Sequence, residues 1–457
     1  MAAFAKRLSD GLDGGGRICA ADDSIAMCPK RRLLRVISRE SRRGLWAGFA
    51  SGQSVVSSER AMMKANGCVS MMGFMRWALI GLLALHGLIH LMGFAKAFGY
   101  AELPQLTQPI SRGWGMLWLL AGVLVLATAA MLAAGARTYW IVGVLALLVS
   151  QVVIMMAWRD AWAGTAGNAV LLLVVAHGML TEGPWSFHAQ YLRDVEAGLS
   201  RSVDAPLVSE ADLAALPEPV RRYLRVTRAV GQPRVQNYCI RFSGRIRRAP
   251  DAAWMPFEAE QQSFADQPTR LFLMRARMFG VPVEAFHRLI GGHATMQVKV
   301  AGVVPMADAR GDEMDRAETV TLFNDMCLLA PGTLVGPEIT WEPVDGSSAR
   351  ARFTHRGHTI TATLFFDSRG RLVNFESDDR ARSLPDGTFT KVRFSTPVRD
   401  YRDFGPLYLA GYGEARWRLP EGEFTYGEFT MMDVVTNVRS TMTGRRGASE
   451  ATIPASR

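Results

Sequence analysis

No Asp, Glu, Lys or Arg occurs in four stretches of the chain, residues 77–95, 114–134, 138–158 and 161–180. An uncharged helix of about 20 residues is what ~30 Å of hydrocarbon requires, so these absences exclude a purely water-soluble chain. The roughly 275 residues that follow lack a fifth such stretch, which leaves one large water-soluble domain behind a four-span block. Cysteine is scarce as well. Cys19, Cys28 and Cys68 lie in the first 70 residues, while Cys239 and Cys327 stand singly, so neither a disulfide framework nor zinc-like C-x-x-C spacing is present. G-x-S-x-G, H-E-x-x-H and Walker loops are also missing, which leaves hydrolase, zincin and nucleotide-binding readings without support.

Positive charge is in modest excess and unevenly placed. Residues 1–70 hold 12 Lys/Arg against 6 Asp/Glu, six of the ten net positive charges, and no basic run with interleaved aromatics marks a nucleic-acid surface. These 70 residues mix a glycine run with scattered Ser and Arg. They are expected to be a disordered basic tail, or to precede a true start near Met71 or Met72. Arg76, Arg137, Arg193 and Arg201 flank one side of the spans, and Lys96, Arg112 and Arg159 the other. That bias favours a multi-pass protein of the cell inner membrane with the soluble domain in the cytoplasm.

Polar residues within the spans are the clue to membrane chemistry, because lipid makes them costly without partners. Counting ~1.5 Å per residue from the inner ends puts His90, Gln151 and Asn168 at similar depths of about 18–20 Å. We therefore expect a polar cluster of His90, Gln151 and Asn168 in the bundle interior. His86 and His90 also form an H-x-x-x-H pair on one helix face, a spacing able to hold metal or haem. His177 is the remaining intramembrane histidine, about 9 Å nearer the inner surface than His86, and no carboxylate lies at that depth to complete a site. The expectation is interhelical packing, with no metal and no cofactor. Residues 96–113, broken by Pro104 and Pro109, are expected along the membrane surface.

Beyond the spans, residues 183–230 read as a juxtamembrane helical linker. Residues 185–200 fit an amphipathic helix, and Ser209-Glu-Ala-Asp212 a capping box. From about Val235 the period becomes two. Tyr238, Ile240 and Phe242 alternate with polar neighbours; Phe272, Met274 and Met278 share a face; and residues 349–354, 358–366 and 372–377 form a three-strand meander. About ten antiparallel strands in one curved sheet are expected over 231–440, followed by a disordered tail at 441–457. Residues 315–329 interrupt them with helical spacing through Val320, Phe323 and Met326. A helix laid over a concave apolar sheet either leaves a groove or makes a filled core. In the first case Val320, Phe323, Met326, Phe272, Met274 and Met278 would bind a hydrophobic molecule. His355-Arg-Gly-His358 near Asp367, Glu376, Asp378 and Asp379 reads as an exposed turn with solvated acids rather than a metal site.

Ser111-Arg112, Ser150-Gln151, Trp158-Arg-Asp160, Gly164-Thr165 with Asn168, and the later Leu-Pro-Glu-Pro-Val-Arg-Arg-Tyr-Leu resemble an uncharacterised family of bacterial membrane proteins. In that family a DoxX-like four-helix section, residues 71–182 here, precedes a domain similar to the lipoprotein-carrier half-barrels. The resemblance implies an α+β membrane protein and lipid or lipoprotein handling. It supplies no reaction and no catalytic residue. Two functions are in view: a non-catalytic, membrane-anchored binder of a hydrophobic small molecule or lipid, whose protein partners are unknown, or a redox or quinone-linked membrane protein using His86, His90 and His177.

Overall fold

The computed structural model describes residues 51–201, 205–278, 280–383 and 388–439. Helix α1 is Ser51–Ala97, and its part from Phe74 onward is the first of four helices long and apolar enough to cross a membrane. It begins inside the stretch expected to be irregular, where residues 51–70 contain no proline to stop it. Residues 1–50, and 441–457 of the expected C-terminal tail, lie outside the described residues. α2 (Arg112–Ala134) opens on Ser111, whose side chain accepts from the Trp114 amide, and closes on Gly135 in the left-handed conformation. α3 is Tyr139–Met156, α4 the single turn Trp158–Ala161, and α5 Gly164–Glu182.

Small residues let these helices approach. A Cβ on Gly122 would lie 2.9 Å from the Gly87 carbonyl oxygen, so α1 and α2 cross backbone to backbone. Outward, Leu85, Leu148 and Leu173 remain 56%, 60% and 71% exposed, an apolar surface suited to lipid and not to water. At the inner end the Arg76 guanidinium donates to the Leu132 and Ala133 carbonyls at 2.6 and 3.1 Å, and Arg137 lies 3.6 Å from Glu182. At the outer end the 98–111 loop turns inward. Asp160 accepts from Thr107 Oγ1 at 2.7 Å and the Gln108 amide at 2.9 Å, Lys96 donates to the Leu106 carbonyl, and Leu106 is buried.

Past α5 the amphipathic segment forms α6 (Phe187–Leu199), with Ser186 accepting from the Ala189 amide. Ser209 and Asp212 make the expected capping box around a short 3₁₀ turn, and α7 is Glu218–Val226. The strands β1 to β6 follow as Asn237–Ile246, Met255–Phe264, Thr269–Met278, Val281–Ile290, His293–Val300 and Val304–Arg310. Helix α8 is Asp312–Leu329. After it come β7 to β10, Ile339–Asp345, Ser348–His355, His358–Phe366 and Leu372–Ser377. The remainder, β11 to β16, are Ala381–Ser383, Phe389–Lys391, Phe394–Ser395, Val398–Phe404, Leu407–Leu419 and Gly422–Thr436.

Among the described residues, fourteen of these strands make one antiparallel sheet, a half-barrel in the order β6-β5-β4-β3-β2-β1-β16-β15-β13-β10-β9-β8-β7, with β14 beside β15. The chain builds outward from β1 to the β6 edge, and its next strand, β7, lies at the opposite edge. The connection between those edges is α8, about 27 Å of helix, which explains why it lies within the concavity. The sheet has more strands than periodicity suggested, because edge strands such as β7, largely exposed, need no alternating pattern. In the β8-β9-β10 meander β9 and β10 have the expected boundaries and β8 extends one residue further at each end. Arg356 and Gly357 both take positive φ, 48° and 91°, as a two-residue hairpin turn demands.

Both faces of β2 to β4 are covered. Leu271, Leu273, Phe264 and Phe286 pack outward against Phe187, Tyr191 and Val195 of α6. Phe272 and Met274 point the other way, into the large core shared with α8.

Candidate functional site

The six residues expected to line a groove sit in that core. Val320 and Phe323 are fully buried, Phe272 and Met274 nearly so, and Met326 and Met278 pack against the same cluster. The Phe323 ring stacks on Phe353 at 5.1 Å and meets Phe375 at 6.0 Å. Of the two arrangements open at the sequence level, these contacts are those of a filled core. Tyr223 of α7 donates to the Cys327 carbonyl at 2.8 Å, tying the linker to the same helix.

Charge enters this core at one place. Glu318 and Asp325, seven residues apart and so on one face of α8, both reach Arg270 of β3, at 3.1 and 2.6 Å. Gln261 adds a bond to each side, donating to Asp325 at 2.8 Å and accepting from Arg270 at 3.3 Å, and His287 lies 3.0 Å from Glu318. Burial alone would raise the Glu318 carboxyl. Arg270 beside it and the hydrogen bond to His287 outweigh that and hold it at about 2. The Tyr238 hydroxyl at this end is buried, and burial raises its pKa. Such a network fixes how α8 seats in the sheet.

The second concentration of polar groups is inside the bundle. Asn168 Nδ2 donates to Gln151 Oε1 at 2.9 Å, Ser150 Oγ donates to Asn168 Oδ1 at 2.6 Å, and His90 Nε2 lies 2.8 Å from Ser150 Oγ. His86 Nε2 lies 2.9 Å from Asn168 Oδ1. The structure therefore brings Gln151 and Asn168 into direct contact and reaches His90 through Ser150. Depth counting missed His86 and Ser150. A signal for Ser150 exists in α3, where Tyr139, Gly143, Ala146, Ser150 and Val153 recur at helical spacing and are all buried. A Cβ on Gly167 would stand 2.4 Å from His86 Nδ1, so only glycine lets α5 lie against that ring.

Beside this cluster, and reaching the outer end, lies a cavity of about 510 Å³ between α1 and α5. Leu82, Ile89, Met92, Trp118, Ile154 and Val170 line it, His86 and His90 share its wall, and Gln105 and Leu106 of the tucked loop close over it. Ile89 is also 47% exposed on the outer surface of the bundle, so the cavity borders the lipid side.

The other histidines do not join. His177 is exposed on α5, away from His86 and His90. In the His355–His358 turn, Asp367 caps its own loop by accepting from the Arg369 and Arg371 amides, Asp378 pairs with Arg393, and Asp379 accepts from the Thr361 amide. Among the described residues no three His, Cys, Asp or Glu side chains are grouped as metal ligands.

With this geometry in place, the sheet domain can be compared with known proteins. Residues 206–429 match the model of a family of unknown function, DUF6544. The DUF6544 match begins in the linker before α7 and ends within β16, leaving out the four spans. Among solved structures, a putative outer membrane lipoprotein-sorting protein domain from Vibrio parahaemolyticus is similar at 9% identity and a TM-score of 0.28, over 47% of this chain and 90% of that one. A DUF1329 family protein from Desulfovibrio piger is similar at 13% identity and a TM-score of 0.24, over 45% and 88%. Likenesses of this degree assign no activity. No curated protein matches the chain.

Proposed function

We propose that the chain is a non-catalytic, membrane-anchored binding protein for a hydrophobic small molecule or lipid, and that it takes this ligand in the bundle cavity rather than in the sheet domain. The observation that carries the reading is the cavity itself. Its ~510 Å³ is within the range of small-molecule sites, and its walls are mostly apolar, with the buried histidines on one side and Gln105 and Asp160 at the outer end. The sheet domain supports this placement by its filled core, and its role is that of a rigid body carried at the inner ends of the spans. The proposal includes an inner-membrane location with that domain in the cytoplasm, as the Arg76 and Arg137 side of the bundle favours.

Native extraction of the full chain into polymer-bounded discs, followed by mass spectrometry, tests it. One apolar compound enriched over the bulk membrane is expected, and Ala166→Trp, at a position that lines the cavity, is expected to lose it while keeping the wild-type thermal midpoint within a few degrees. Equal retention by the Ala166→Trp protein would overturn the placement, and the absence of any enriched compound would overturn the function.

A further inference from the structure

The tautomers of the two cavity histidines say what such a ligand must bring. Asn168 is oriented by Nδ2 donating to Gln151 Oε1, which leaves its carbonyl oxygen facing His86 and Ser150. A carbonyl oxygen only accepts. His86 Nε2 and Ser150 Oγ are therefore both donors to it, at 2.9 and 2.6 Å. With its proton committed to Asn168, Ser150 Oγ can meet His90 Nε2 at 2.8 Å only as an acceptor, so the His90 proton is on Nε2. With Asn168 and Gln151 in this orientation both rings carry their proton on Nε2, and each neutral imidazole turns a lone pair on Nδ1 away from the network.

For His90 that lone pair is unanswered. Nδ1 is buried with no hydrogen-bond partner, on a side chain only 1% exposed that also lines the cavity. Leu82, Ile89, Met92 and Ile154 of the surrounding wall carry no donor, and neither Trp118 nor Gln105, which do, is hydrogen-bonded to His90 Nδ1. Buried acceptors are almost always paired, and an orphan beside an apolar cavity marks where an occupant's polar atom belongs. We propose that the ligand is an apolar molecule with a hydroxyl head, a long-chain alcohol or alkylphenol, whose O–H is donated to His90 Nδ1 while its hydrocarbon body fills the space between α1 and α5. This rests on the cavity reading and narrows it. A ketone, ester or ether head, which only accepts, would leave the lone pair facing another lone pair.

The test is a matched pair of probes, 4-dodecylphenol and its methyl ether, equilibrated with the full chain in lipid nanodiscs and quantified against empty nanodiscs. The two share the apolar body and differ in the donor. Wild type is expected to retain the phenol roughly tenfold more tightly than the ether, the scale set by pairing an otherwise unsatisfied buried acceptor. His90→Phe should abolish that preference, and His177→Phe, outside the site, should preserve it. Equal retention of both probes by wild type would overturn the hydroxyl assignment and leave the cavity reading standing. Retention of neither above empty nanodiscs would overturn both. Should His90→Phe fail to fold, the wild-type pair decides alone.

Discussion

Arg270 is buried with Glu318 and Asp325 both within hydrogen-bonding distance, and this gives the sheet domain its most sensitive single position. Replacing it with Met would leave two carboxylates facing each other without their guanidinium. Breaking a buried pair from one side costs about 3–5 kcal/mol, so Arg270→Met should lower the urea midpoint of the full chain in detergent by a corresponding amount. A midpoint within the wild-type error would show that the network contributes nothing net. Acid acts on the same group. Burial would raise the Glu318 carboxyl, but Arg270 and His287 reverse this and bring it to about 2, against 4.5 for an ordinary glutamate. A carboxyl lowered in the fold contributes stability that is complete above about pH 4.5 and is lost as the pH falls toward about 2. Near-UV circular dichroism followed through that window should show tertiary signal failing, and an unchanged unfolding midpoint between pH 5 and pH 2.5 would refute the assignment.

At the level of elements, the crossing of α1 and α2 depends on two glycines, Gly87 and Gly122. A side chain on Gly122 meets the Gly87 carbonyl, which is backbone and cannot swing aside. Gly122→Val should therefore push the helices apart, with lowered thermal stability in detergent and loss of whatever the cavity holds, because Trp118, one turn away on α2, is part of the cavity wall. Gly81→Val on the same α1 has open space for its Cβ and serves as the control. Equal behaviour of the two variants would mean that the crossing is not tight. The helix α8 illustrates what an element-level pattern can carry: residues 315–329 showed an apolar spacing that predicted a helix, while its burial on nearly every side comes from its position as the bridge between opposite sheet edges.

For the whole molecule, the question is which side of the membrane carries the sheet. Arg76 and Arg137 sit at the end of the bundle from which α6 and the sheet continue, and Arg112 and Arg159 at the other. From the positive-inside bias we propose that the sheet domain lies in the cytoplasm. A reporter fused at the C-terminus and active only in the cytoplasm should give signal, whereas activity of a periplasm-dependent reporter at the same position would invert the proposed orientation.

Much of this was already determined by the sequence. Four charge-free stretches dictate four helices long and apolar enough to cross a membrane, and period-two alternation dictates strands with two distinct faces. The common depth of Gln151 and Asn168 followed from helical rise alone. Tertiary structure decided the rest, for reasons of long-range geometry. Whether Val320 and Phe323 line a groove or fill a core depends on how tightly the sheet curves around α8, and local periodicity does not encode that curvature. His86 and Ser150 entered the polar cluster because of helix rotation, which packing against Gly167 and the small-residue face of α3 sets. The 98–111 loop closes over the cavity between α1 and α5 because it folds inward onto Asp160, a contact between residues about fifty positions apart.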